Sequence, residues 1–140
     1  MSRKGFAALL VILTLTSAPL HAGERYLCVP DQAAGFIFDQ SSRRWKSVNL
    51  RSEGEKYIIK QVSFSKNALS IVSAQASYEE CRSDNGFENS NEAYFECIFG
   101  EFKFNRITGR FIRTFTAGYI DGLDNKENTP AILIGRCTPF

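Results

Sequence analysis

The chain has 140 residues, with 17 Lys and Arg against 15 Asp and Glu, four cysteines, one histidine and one methionine. Arg3 and Lys4 lie in an N-terminal segment that reads as a removable leader, so the remaining chain carries 15 cations against 15 anions and lacks the global basic charge of a nucleic-acid binder. His21 and Met1 lie in the same segment; without them the chain can run no Ser-His-Asp or Cys-His chemistry and can offer no imidazole or thioether to a metal.

The leader itself is legible in order. Arg3 and Lys4 form a positive start, Phe6 to Leu15 an apolar run, and Ser17, Ala18 and Pro19 a small or turn-prone stretch before a cut after Ala22. Residues 1–22 are therefore read as a secretory signal peptide and 23–140 as a single β domain. The run is shorter than the roughly 20 apolar residues a spanning helix needs, and no later stretch is longer, so no stable membrane insertion is expected. Cys28 lies too far from the cut to carry a lipid. The expected destination is the periplasm or the exterior, as a soluble protein.

Beyond the cut the punctuation is that of a β protein. Arg25 to Val29 reads as one strand and Gly35 to Asp39 as a second; a polar turn over Gln40 to Arg43 leads into a third from Trp45 to Arg51. Ser52 to Glu55 turn the chain into the segment from Lys56, where Ile58, Val62 and Phe64 share one face, interrupted by Lys60. Ala68 to Ala74 reads as a strand, although Leu69, Val72 and Ala76 also fit a short helical face. Ser77 to Glu92 is polar and acidic and reads as a long loop stapled at Cys81. From Ala93, Phe95, Cys97 and Phe99 share a face; Phe102 and Phe104 fall out of step, which points to a bulge or corner at Gly100. Asn105 to Gly109 form a hairpin turn, Arg110 to Ile120 run back, Asp121 to Thr129 are a polar loop, and Ala131 to Cys137 close the chain. The fold expected is all-β, a single small antiparallel β-barrel or sandwich of about seven to nine strands, stapled by disulfides.

Four cysteines allow three pairings. Cys28 with Cys137 would tie the first strand to the last, and Cys81 with Cys97 would close the polar segment between them. A four-cysteine zinc site is disfavoured by the missing C-x-x-C spacing and by an oxidising compartment.

The remaining chemistry rests on carboxylates, lysine, tyrosine and hydroxyls. Charge is segregated along the chain: Arg43, Arg44, Lys46, Arg51, Lys56, Lys60 and Lys66 outweigh Glu53 and Glu55, and Lys103, Arg106, Arg110 and Arg113 follow an acidic stretch from Glu79 to Glu101. Either run can be a solvated strand surface or a docking face for an anionic envelope component or another protein. Asp121, Asp124, Asn125, Glu127 and Asn128 crowd one loop with oxygen donors, but Leu123 and Lys126 break the calcium-loop pattern. Paired carboxylates could hydrolyse a glycosidic bond, yet no pair stands out. Trp45, between Arg44 and Lys46, is the aromatic to test for surface exposure.

The segments from Gly35 to Asp39, Arg43 to Trp45, Lys56 to Lys60, Phe102 to Phe111, Gly118 to Gly122 and Asn128 to Cys137 together resemble an uncharacterised family of small exported proteobacterial proteins with a C-terminal Gly-Arg-Cys strand. That resemblance implies export and supplies no activity. Tyr26-Leu27-Cys28, Cys137 and the turn from Ser52 through Gly54 to Tyr57 also look similar to periplasmic inhibitors of C-type lysozyme, small barrels whose serine and lysine enter the lysozyme cleft. That likeness points to Ser52 and Lys56, although Glu53 separates the serine from the glycine, and the acidic segment around Cys81 and Cys97 has no counterpart.

The reading is an exported, non-catalytic binding module of the bacterial envelope, without cofactor, metal or nucleic acid. Its alternatives are a lysozyme-inhibitor-like protein and a small carboxylate-dependent hydrolase. The candidate binding residues are Arg44, Trp45, Ser52 and Lys56, with no catalytic residue assigned.

Overall fold

The computed structural model describes residues 25–63, 68–73, 79–83, 86–87, 91–116, 119–120, 122, 124 and 129–140. The expected signal peptide lies outside them, as do Phe64 and, from the oxygen-rich loop, Asp121, Asn125, Glu127 and Asn128.

The described residues form nine strands: β1 (Tyr26–Asp39), β2 (Arg44–Leu50), β3 (Tyr57–Ser63), β4 (Ala68–Ser73), β5 (Glu79–Ser83), β6 (Glu92–Cys97), β7 (Gly100–Asn105), β8 (Arg110–Phe115) and β9 (Ala131–Pro139). Each pairs antiparallel with its neighbours in the order β1-β3-β4-β5-β6-β7-β8-β9, and the β1–β9 ladder closes the ring. The result is an eight-stranded barrel, with β2 attached to the outer half of β1 as a ninth strand. Disulfides join Cys28 to Cys137 and Cys81 to Cys97, the two pairings favoured by the sequence.

One long strand replaces two expected ones. Pro30 to Ala34 reads as a break between them, but β1 runs through it with a register shift between Pro30 and Gln32. Proline has no N–H to give a ladder, and a bulge is where a strand tolerates that loss. The first part of β1 pairs with β3 (Cys28 opposite Tyr57) and its second part with β2 (Phe38 opposite Trp45), while β9 follows the other edge. The far end of β1 and β2 therefore projects past the barrel as a hairpin.

Two further expectations are corrected. The segment from Ser77 to Glu92 is not all loop, because β5 lies inside it and pairs with β4 and β6. The parity break at Gly100 is a hairpin, with Ile98 and Phe99 at its tip and Cys97 opposite Gly100, so Phe99 leaves the face of Phe95 and is exposed. On β3 Ile58, Lys60 and Val62 do share a face, and it points outward because the buried residues are Tyr57 and Ile59. The segment from Ala68, ambiguous in sequence, is strand.

The barrel interior is filled by side chains. Phe95, Phe102, Phe104, Ile59 and Ile71 are at most 1% exposed, with Tyr26, Tyr57 and Phe111 packed among them. Phe102 and Phe111 stack at 4.9 Å between ring centroids with planes 5° apart, and Phe95, Tyr57 and Tyr26 meet neighbouring rings edge-on. An eight-stranded barrel has an interior just wide enough for such filling. Burial of each phenylalanine contributes about 1.5–3 kcal/mol.

Candidate functional site

Because strand residues alternate between faces, a filled interior fixes the outward set. On β6 it is Glu92, Tyr94 and Glu96; on β7, Glu101, Lys103 and Asn105. These are polar, as a wall in water should be. Tyr94 donates its hydroxyl to Glu101 at 2.6 Å, and Lys103 pairs with Glu101 at 3.4 Å while lying 5.3 Å from the Tyr94 ring centroid. The hydrogen bond from Tyr94 and the Lys103 ammonium hold the Glu101 carboxyl below its usual range, and the same bond raises the Tyr94 phenol. Glu96 lies directly opposite Glu101, the carboxylate pair that the register brings together. A general acid needs one carboxyl kept protonated, and Glu101 is pushed the other way.

The next three strands break the pattern. Outward positions on β8 and β9 are Arg110, Ile112 and Thr114, and Ile132, Ile134 and Arg136. Those on β1 include Val29, Ala34 and Phe36. Register makes them contiguous: Ile112 faces Ile134, and Ile132 lies between Thr114 and Ala34. One ladder step further, Arg110 faces Arg136, which in turn faces Val29. The apolar members are 39 to 51% exposed, a large fraction for aliphatic side chains that sit side by side. At the Ile132 end the wall opens into a groove of about 710 Å³ lined by Ala34, Phe36, Thr114, Phe115 and Pro130.

The residues chosen from sequence fall into two places. Arg44 is exposed at the hairpin end of β2, opposite Asp39, whose carboxyl is held well below its usual range by Lys46 and by Ser41 and Ser42. Trp45 is half-buried: its ring lies 5.6 Å from Phe38 and 5.4 Å from Tyr119, and its indole Nε1 donates to Asp124 at 2.9 Å. Tyr119 and Asp124 thus cover this side of the hairpin. Ser52 and Lys56 lie beyond the other end of β2, roughly 20 Å of strand away.

There the chain turns as expected: the Ser52 carbonyl accepts from the Glu55 amide at 3.2 Å, and Gly54 takes φ 90°, a left-handed conformation that favours glycine. Lys56 is exposed, and Ser52, half-buried, lines a groove of about 540 Å³ with Gln32, Asn49, Arg51 and Ile134. Two groups of two residues are formed rather than one site of four.

In the sequence Arg110 stands as one of a basic run, and nothing there marks Arg136 or the isoleucines as its neighbours on one face. The basic run itself is dispersed: Arg113 turns inward over the Tyr57 ring at 4.7 Å, and Arg106 lies over Phe87 at 4.9 Å. Arg136 was readable only as the basic residue of the closing strand, because nothing local says that it faces Arg110. No family model, no curated protein and no solved structure matches the chain.

Proposed function

We propose that this protein is an exported, non-catalytic binding module of the bacterial envelope that engages its partner on the outer surface of the barrel. The observation that carries the reading is the division between a filled aromatic interior and an outer wall that is apolar on β8, β9 and β1. A lumen already occupied by phenylalanine leaves a ligand nowhere to go but outside. Two disulfides suit an oxidising compartment, and both cross-links would be reduced in a cytosol. The leader-like start of the chain agrees with that address. Expression with the native leader, followed by fractionation and mass spectrometry, tests export; a chain that stays in the cytosol, uncut and with free thiols, overturns it. Pull-down of the exported protein against envelope extracts then tests binding.

A lysozyme-inhibitor role is the second reading, supported by the protruding Ser52 to Glu55 turn at the entry to β3 of a small barrel. Lysozyme assayed with micromolar protein should lose activity, and Ser52→Ala should restore it. Undiminished lysozyme activity rejects this role.

A further inference from the structure

Resting on the exported reading above, we propose that the wall formed by β8, β9 and β1 docks on an anionic lipid surface, with Arg110 and Arg136 on phosphate groups and the neighbouring isoleucines against the acyl boundary.

Three observations converge on that face. First, its outward positions include Ile112, Ile132, Ile134 and Val29 side by side, where those of β6 and β7 on the same barrel are polar. Second, Arg110 and Arg136 are directly opposite each other on adjacent strands. Like charges so placed destabilise a sheet. Neither guanidinium has an ion-pair partner among the described residues: Glu92 accepts from Asn105 at 3.2 Å, Glu101 holds Tyr94 and Lys103, and the exposed Glu96 and Asp31 pair with neither arginine. An anionic group outside the chain is the missing counterpart. Arginine suits phosphate in particular, since its planar fork binds two oxygens at once.

Third, the apolar part of the face is made of Ile112, Ile132 and Ile134 beside Val29, aliphatic side chains in adjacent ladder positions, and the isoleucines also edge the open grooves of this wall. A protein partner draws its affinity from aromatic or arginine anchors buried in fitted pockets. A fluid lipid boundary needs no such fit; it takes aliphatic side chains to a depth of about 5–10 Å below cations held at the headgroups. Ile134 lies two residues and Ile132 four residues from Arg136, about 7 and 13 Å along the strand, so a strand tilt of about 40° from the membrane normal seats both at that depth. Among the described residues no helix is long and apolar enough to cross a membrane, and docking on this wall requires none.

The test uses protein recovered from the periplasm of an expressing host, floated with vesicles of phosphatidylcholine alone or containing phosphatidylglycerol. Binding is expected on the phosphatidylglycerol vesicles, weakened by salt, and reduced about tenfold or more in Arg110→Glu/Arg136→Glu. Ile132→Ser/Ile134→Ser should also reduce it. Near-ultraviolet circular dichroism of the aromatic core checks that each variant is folded, and Arg110→Gln/Arg136→Gln serves if the reversed pair is not. No binding to anionic vesicles, equal binding to phosphatidylcholine, or binding unmoved by salt and by the arginine variants overturns the proposal. So does capture of an acidic protein through Arg110 in place of vesicles. Failure to reach the periplasm overturns export instead, and the two failures are thereby told apart.

Discussion

Cys28 stands directly opposite Cys137 in the β1–β9 ladder, so a covalent bond lies on the seam that closes the barrel. Cys81 and Cys97 are likewise opposed, across β5 and β6. The two bonds differ in the chain that they enclose, with sequence separations of 109 and 16. Loop-closure entropy assigns them about 4.7 and 3 kcal/mol. Cys28→Ser/Cys137→Ser should therefore cost roughly 2 kcal/mol more than Cys81→Ser/Cys97→Ser in denaturant unfolding. Equal losses would show that the seam is held by β1–β9 packing, with its cross-link contributing little beyond that.

A second prediction concerns the bulge on the same seam. Gly135 lies opposite Pro30, and a Cβ there would sit 2.2 Å from the Val29 carbonyl oxygen and 2.7 Å from the Pro30 Cα. Both obstacles are backbone and cannot swing aside. Gly135→Ala should cost about 3 kcal/mol, at the upper end for overpacking. Unchanged unfolding would mean that the bulge can flatten to admit a methyl group.

Period was legible in this sequence, while facing was not. Alternation placed strands at every position where β2, β3, β6, β7, β8 and β9 occur, and the place of the cysteines in the first and last strands and around the polar segment pointed to both disulfides. Yet alternation only separates odd from even. In Ala131 to Cys137 it could not say that Leu133, Gly135 and Cys137 face inward while Ile132 and Ile134 face out. On β3 the longer aliphatic series faced out for the same reason. Pro30 concealed the continuity of β1, since a proline breaks a ladder everywhere except at the kind of bulge it occupies. The Arg110–Arg136 contact depends on β8–β9 register, which only closure of the barrel sets.

Trp45 provides a local probe, because it is the only tryptophan in the chain. Its bond to Asp124 links the β1–β2 hairpin to the loop between β8 and β9. Asp124→Ala should shift its fluorescence toward that of a solvated indole and cost about 0.5–1.5 kcal/mol. Tyr119→Ala, which removes the edge-on ring 5.4 Å away, should shift it in the same direction. An unmoved emission maximum in both variants would show that Phe38 alone shields the indole.

The last prediction follows from Tyr57. Its ring is 3% exposed among Phe102 and Phe111, and its hydroxyl donates to Glu55. Burial raises the phenol well above its ordinary value of 10.0, and the bond to Glu55 raises it further, against the opposing pull of Arg113. The folded chain thus holds this proton more tightly than the unfolded chain does. Its contribution to stability is complete below pH 10 and is lost as pH rises toward the folded value. Across that interval the loss is about 1.4 kcal/mol per pH unit. Tyr57→Phe keeps the ring and removes the ionisation, while the other four tyrosines are common to both proteins. Urea unfolding followed from pH 8 to about 11.5 should show wild type falling more steeply than the variant above pH 10. Parallel curves would mean that Tyr57 ionises as freely inside the barrel as in the unfolded chain, and that its bond to Glu55 does not hold the proton.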